Sequence, residues 1–123
     1  MLTKINLSDI NFIDRPYGKL YRLVCKDEKF QKLQVNIIVI EPSQRTSKHS
    51  HPQEEIWFIL EGKGRVVGEN ITFDITEGEA VLVPSDEIHQ LENVASDTKL
   101  TYLVAMGPPR ISSTVTYYPN NIQ

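Results

Sequence analysis

No stretch of this chain keeps a helical period of apolar residues for three turns, and that most narrows what it can fold into. Its apolar residues come in short, separated runs: LYRLVC at 20–25, LQVNIIVIEP at 33–42, EEIWFILEG at 54–62, GRVVG at 64–68, ITFDI at 71–75, AVLVP at 80–84 and KLTYLVAM at 99–106. These lengths, rich in β-branched and aromatic residues, are those of strands. Between them stand Glu61-Gly62-Lys63-Gly64, Gly68-Glu69-Asn70, Thr76-Glu77-Gly78 and Pro84-Ser85-Asp86, which supply positive or proline-fixed φ for tight turns. The expectation is an all-β barrel or sandwich. With 123 residues and no linker, repeat or low-complexity tract, it is expected to be one domain over 1–123.

Several runs are apolar on both faces. Strand alternation sets Glu55, Trp57 and Ile59 on one side and Ile56, Phe58 and Leu60 on the other, and Ile37 to Ile40 behaves alike. A barrel wall facing water needs only one apolar face, so the second calls for cover. A homodimer is the expected cover; a second sheet or the N-terminal arm is the alternative. Thirteen basic and sixteen acidic residues, spread without blocks, give a net charge of -3 and no footprint for nucleic acid or an anionic membrane. The start MLTKINLSDI lacks the pattern of a secretory signal, and no apolar run approaches bilayer length, so a soluble, cytoplasmic protein is expected. Cys25 is the only cysteine, which excludes an intrachain disulfide and a thiolate cluster and reads as a small buried or half-buried hydrophobe.

The chain has three histidines, and all fall into one pattern. His49 and His51 are at i and i+2, so on an extended chain both rings point to one side with Cα atoms about 7 Å apart. Glu55 keeps the same parity beyond a turn or bulge at Pro52. His89 follows the Pro84-Ser85-Asp86-Glu87 turn, where a returning strand can bring it alongside. One such histidine would be an ordinary hydrogen-bonded residue; the set makes independent roles improbable. Three imidazoles and a carboxylate form a mixed N and O site suited to Mn, Fe, Ni, Co, Cu or Zn, leaving two positions on a six-coordinate ion.

These residues resemble the cupin superfamily, in its small single-domain metal-binding form. The first cupin motif is matched by His49, His51, Glu55 and Gly62, and the second by Gly78, Pro84, His89 and Asn93, with motif 1 over about 43–62 and motif 2 over about 78–93. Two turn positions depart from it: Ser43 and Asp86 stand where the family has glycine. The resemblance implies a cupin-type double-stranded β-helix, a jelly-roll barrel, with His49, His51, Glu55 and His89 holding one divalent transition metal ion. It leaves the reaction open among dioxygenase, isomerase and decarboxylase or lyase chemistry, or simple binding.

Around that site, Trp57 is expected to share Glu55's cavity, by alternation. Tyr102 and Met106 share one face with Val104, opposite Thr101, Leu103 and Ala105; either face can line the pocket. Lys48, of opposite parity to His49, is expected to point outward. The pocket then offers few cations, which favours a small, neutral or singly charged organic ligand over a sugar phosphate. The tail TVTYYPN places Tyr117 and Tyr118 on an edge strand or dimer contact, or as a tyrosine over the pocket mouth. Its length and tail are similar to small cupins that cleave dimethylsulfoniopropionate, in which a tyrosine occupies the position of Trp57. The functional expectation is a metalloenzyme acting on a small oxygenated organic molecule, the alternative a non-catalytic metal or metabolite binding module.

Overall fold

The protein is described from a computed structural model covering residues 2–24, 32–109 and 114–120; Cys25 and Arg110 lie outside the described residues. A 3-10 turn, Leu7–Asp9, capped by the Asn6 side chain, precedes eleven strands, and no α-helix occurs among the described residues. In chain order they are β1 (Ile13–Arg15), β2 (Gly18–Val24), β3 (Gln34–Ile40), β4 (Lys48–Ser50), β5 (Glu54–Glu61), β6 (Lys63–Val67), β7 (Thr72–Thr76), β8 (Ala80–Val83), β9 (Gln90–Asn93), β10 (Leu100–Gly107) and β11 (Thr116–Tyr118). Each of the seven apolar runs became a strand. The short elements β1, β4, β9 and β11 carry too few apolar residues to announce themselves.

The strands form a six-stranded sheet in the order β1-β2-β3-β10-β5-β8, a three-stranded sheet β7-β6-β9 and a ribbon β11-β4, with every pairing antiparallel. Consecutive strands β5 and β6 fall in different sheets, the crossing expected of a jelly roll, and the turn between them is made by Gly62. Its φ is 91°, and an added Cβ would sit 2.5 Å from the Lys99 carbonyl oxygen, so only glycine fits.

The core lies between the two larger sheets. Along β10 the alternation is complete: Leu100, Tyr102, Val104 and Met106 are buried, and the residues between them are not. Ile40 and Ile59 from the large sheet meet Leu91 from the small one in the same cluster, all three with no exposed surface. The set bearing Tyr102 and Met106 is therefore the inward one.

Asn93 ties the two sheets at one end. Its amide nitrogen donates to the Ile40 carbonyl at 3.0 Å and the Thr98 carbonyl at 2.8 Å, and its side-chain oxygen accepts from Ala95 N at 2.9 Å. Every polar valence of this buried side chain is used but one lone pair.

Ser43 and Asp86, which replace family glycines, have φ of 63° and 65° and are the non-glycine residues with positive φ among those described. The left-handed backbone of both turns persists without glycine, and short polar side chains are the ones that tolerate it best.

Candidate metal centre

β4 is brief because Pro52 has no N–H to donate; the strand ends at Ser50 and β5 begins at Glu54. His49 leaves β4 on its inner side, and His51 follows in the turn with its ring centroid 5.5 Å from that of His49. His89 arrives just ahead of β9 by an isolated antiparallel bridge to His49. The two residues exchange both backbone hydrogen bonds, at 3.1 and 2.9 Å. The turn bearing Asp86 is pinned as well, since Asp86 N donates to the His51 carbonyl at 2.8 Å. Thus the second motif is fastened by its backbone directly onto the first.

One ligand atom from each of His49, His51 and His89 lies within 4.8 Å of the others, so the three can hold a metal ion. Their outer ring nitrogens fix which atom faces inward. His49 Nδ1 lies 3.0 Å from the Ser47 carbonyl oxygen, His51 Nδ1 3.2 Å from that of Gln53, and His89 Nδ1 2.8 Å from that of Glu87. A carbonyl only accepts, so Nδ1 of His51 and His89 carries the proton and Nε2 is left as the ligand atom, while His49 Nδ1 has both the Ser47 carbonyl and the Ser47 hydroxyl at 3.0 Å.

Glu55 faces the same point from β5. Its Oε2 is 3.0 Å from His51 Nε2 and its Oε1 is 3.3 Å from His89 Nε2, with all three groups buried. His51 Nε2 makes no hydrogen bond. A neutral imidazole lone pair facing a carboxylate oxygen at that distance is two acceptors in contact, which is repulsive unless positive charge lies between them. A proton or a metal ion supplies it. The Glu55 carboxyl feels the same balance: burial pushes its pKa up, but the close approach of His51 and His89 and the Trp57 N–H outweigh burial and hold it below the usual carboxylate range.

Trp57 does what alternation from Glu55 requires. Buried to 2% exposure, it donates from Nε1 to Glu55 Oε1 at 2.6 Å, and its ring lies 5.7 Å from His89. It is at once core aromatic and the group that orients the carboxylate. Where a tyrosine has a phenolic proton to trade, this indole only donates. Tyr102 stacks obliquely on Trp57 at 5.6 Å, and burial, reinforced by Tyr17 and Glu55, pushes its phenol well above the ordinary range. Met106 is the β10 neighbour of Glu55 and completes the wall.

The tail separates its two tyrosines. β11 pairs with β4 so that Tyr117 is opposite His49, its ring 5.9 Å from the imidazole and 60% exposed, at the rim of the site. Tyr118 lies on the opposite face, its hydroxyl 2.9 Å from Ser50 Oγ. Lys48 departs from expectation. It does take the face opposite His49, but it is 7% exposed rather than turned to solvent. Ser50 on that face is also 7% exposed, so both sides of β4 are covered and parity does not translate into exposure.

Two residues of the inner face were missed in the sequence. Arg22 and Asn36 are register partners on β2 and β3, and Asn36 is in turn opposite the core residue Val104. The signal was there: Asn36 is the polar interruption of LQVNIIVI at a position with inward parity.

Residues 36–106 match the cupin domain family. The chain belongs to the cupin family. It is 31% identical over 72 residues to an uncharacterized protein of Methanocaldococcus jannaschii, covering 58% of this cupin and 57% of that protein. It is 30% identical over 82 residues to an oxalate decarboxylase of Arthroderma benhamiae, covering 62% of this chain and 19% of the other. Against the mannose-1-phosphate guanylyltransferase RfbM of Salmonella typhimurium the match spans 64% of this chain and only 16% of that enzyme. The cupin therefore spans about half or less of these relatives' length. Among solved structures, the polyketide cyclase RemF of Streptomyces resistomycificus superposes with a TM-score of 0.81 at 19% identity, over 98% of this chain and 88% of that one. Oxalate decarboxylase of Bacillus subtilis superposes at 0.79 and 15% identity over 92% and 31%. At such identities the likeness is one of fold.

Proposed function

We propose that this cupin is a metalloenzyme that holds one divalent transition metal ion, Mn, Fe, Ni, Co, Cu or Zn, on His49, His51, Glu55 and His89 and acts on a small oxygenated organic molecule. One observation carries the reading: His49, His51 and His89 each bring a ring nitrogen to one point, within 4.8 Å of one another, and the Glu55 carboxylate faces the same point 3.0 Å from His51 Nε2. When bound, such an ion supplies Lewis acidity toward a carbonyl or carboxylate oxygen, or redox chemistry where the metal allows it. The chain's own contribution is the rest. The carbonyls of Gln53 and Glu87 hold the His51 and His89 imidazoles with Nε2 inward, and Trp57 Nε1 keeps one Glu55 oxygen in place. Trp57, Tyr102 and Met106 form an aromatic and thioether wall that excludes water and receives the apolar part of a ligand. The oxalate decarboxylase among its sequence relatives supports decarboxylase or lyase chemistry, and isomerase and oxygenase chemistry complete the class we propose.

The test is elemental analysis of tag-free protein purified without chelator, followed by oxygen-uptake and small-acid turnover assays of each metal form. About one metal per chain and turnover of some small acid are expected. Metal uptake with no turnover, but with thermal stabilisation by a metabolite, would make this a binding module instead.

The same reading includes a homodimer. Ile56, Phe58 and Leu60 are 50%, 44% and 41% exposed, and Leu82, opposite Ile56 on β8, is 72% exposed. The second sheet packs on the other face, and the N-terminal arm meets the large sheet at Tyr21, through Phe12 at 5.9 Å. The six strands, of three to eight residues, present a face of roughly 600 Å², against the about 800 Å² per partner of a stable interface. For location, no helix of the structure is long and apolar enough to cross a membrane, and the cytoplasm is the compartment we propose.

A further inference from the structure

One row of the inner face runs Arg22, Asn36, Val104, Trp57 across β2, β3, β10 and β5, by their cross-strand register. It lies directly below the row in which Met106 faces Glu55. Asn36 is 4% exposed, and its side-chain oxygen has no hydrogen-bond partner. Its row neighbour Val104 is apolar, and the indole N–H of Trp57 is committed to Glu55. The other buried asparagine, Asn93, shows what a structural role looks like here, with three backbone partners within 3.0 Å. Asn36 has no such role. A valine or isoleucine at the same strand position would avoid the cost of a buried, unanswered carbonyl.

Arg22 occupies the open end of that row. β1 pairs with Gly18 to Leu20, so among the described residues the sheet has no further strand beside Arg22. The side chain is exposed, and it makes no ion pair among the described residues. A group between the two residues must donate to Asn36 and accept from Arg22. A hydroxyl has one donor and two acceptor sites and does both; a carboxylate can only accept. From strand spacing and rise, Asn36 and Glu55 have Cα atoms roughly 12 Å apart, a separation that two inward side chains and a ligand of a few bonds between them can bridge.

We propose that Asn36, with Arg22 beside it, determines the specificity of this site by taking the distal hydroxyl of a small hydroxylated acid. The hydroxyl lies three to four bonds from the oxygen-donor group that reaches the metal. The inference rests on the metal centre proposed above and narrows its ligand class.

Matched probes test it. Cobalt(II)-loaded protein is titrated with propanoate against 3-hydroxypropanoate, and butanoate against 4-hydroxybutanoate, following the visible absorption of cobalt. At least one hydroxylated probe binds about tenfold more tightly than its partner to the native chain. That preference falls to within about twofold in Asn36→Leu, and severalfold in Arg22→Gln, an exposed position where folding is not at stake. Absence of a hydroxyl preference in either pair, or a preference unchanged in both variants, overturns the proposal. Thermal denaturation of the metal-free protein gives a second, independent reading: Asn36→Leu raises Tm, because an unanswered buried oxygen is removed. A lowered Tm would mean that the amide is structural and would overturn it too. Failure of cobalt uptake would instead sink the metal centre, leaving the denaturation result to judge Asn36.

Discussion

The two faces of β5 differ in what they do with nearly equal hydrophobicity. Inward, Glu55, Trp57 and Ile59 are 6%, 2% and 0% exposed; outward, Ile56, Phe58 and Leu60 stay between 41% and 50% exposed. The inner face spends a carboxylate and an indole N–H on a buried polar site and surrounds them with core. The outer face carries no polar group over the same stretch and, among the described residues, is left about half open. The polar site is thus sheltered by the fold itself, whereas the apolar outer face is a surface with work left to do.

Ways to break that contrast begin on the inner face. Replacing His51 by alanine removes one of the four proposed ligands and leaves Glu55 buried beside a gap. Metal content after supplementation is expected to fall from about one per chain to near zero by elemental analysis. Retention of metal at the native level would dissolve the site.

Next in size is packing. Ile59→Ala is expected to destabilise by about 2–5 kcal/mol in chemical denaturation, because it opens a fully buried position. Phe58→Ala, on the other face of the same strand, should cost clearly less at protein concentrations where the chain is monomeric. Equal costs would mean that the outer face is already covered.

Phe58→Lys then separates the faces by assembly. Sedimentation at micromolar concentration is expected to show a dimer for the native chain and a monomer for the variant, with metal content unaltered. A native monomer ends the dimer reading.

The smallest effect expected is that of Trp57→Phe, which keeps an aromatic ring but deletes the N–H held by Glu55. Metal affinity should weaken by about 10-fold, the lower end of what losing a group that orients a ligand costs. Since Trp57 is the only tryptophan, quenching of its emission by cobalt or copper in the native chain measures the same site directly.

Much of this was legible in the residues. Seven apolar runs announced seven strands, because a strand's length and β-branched content are local properties. The inward direction of Trp57 followed from Glu55 by a period of two, which no bulge in β5 interrupts before Ile59. The histidine spacing likewise named the three side chains that the structure brings within 4.8 Å of one another. Exposure was less legible. Lys48 was assigned the correct face and the wrong environment, since parity states which side a residue takes and not what covers that side.

Sequence by itself, then, determined the β architecture, the metal-site residues to propose and the presence of two apolar faces, all of which depend on the spacing of neighbours along the chain. Tertiary structure alone decided that His89 closes on His49 through two backbone hydrogen bonds, and that Tyr117 rather than Tyr118 stands at the site. It also decided that Arg22 and Asn36 share a row with Trp57. Those facts depend on register between strands distant in sequence. Register is set by how whole sheets close around the core, and a one-residue slip would turn every one of these side chains to the other face.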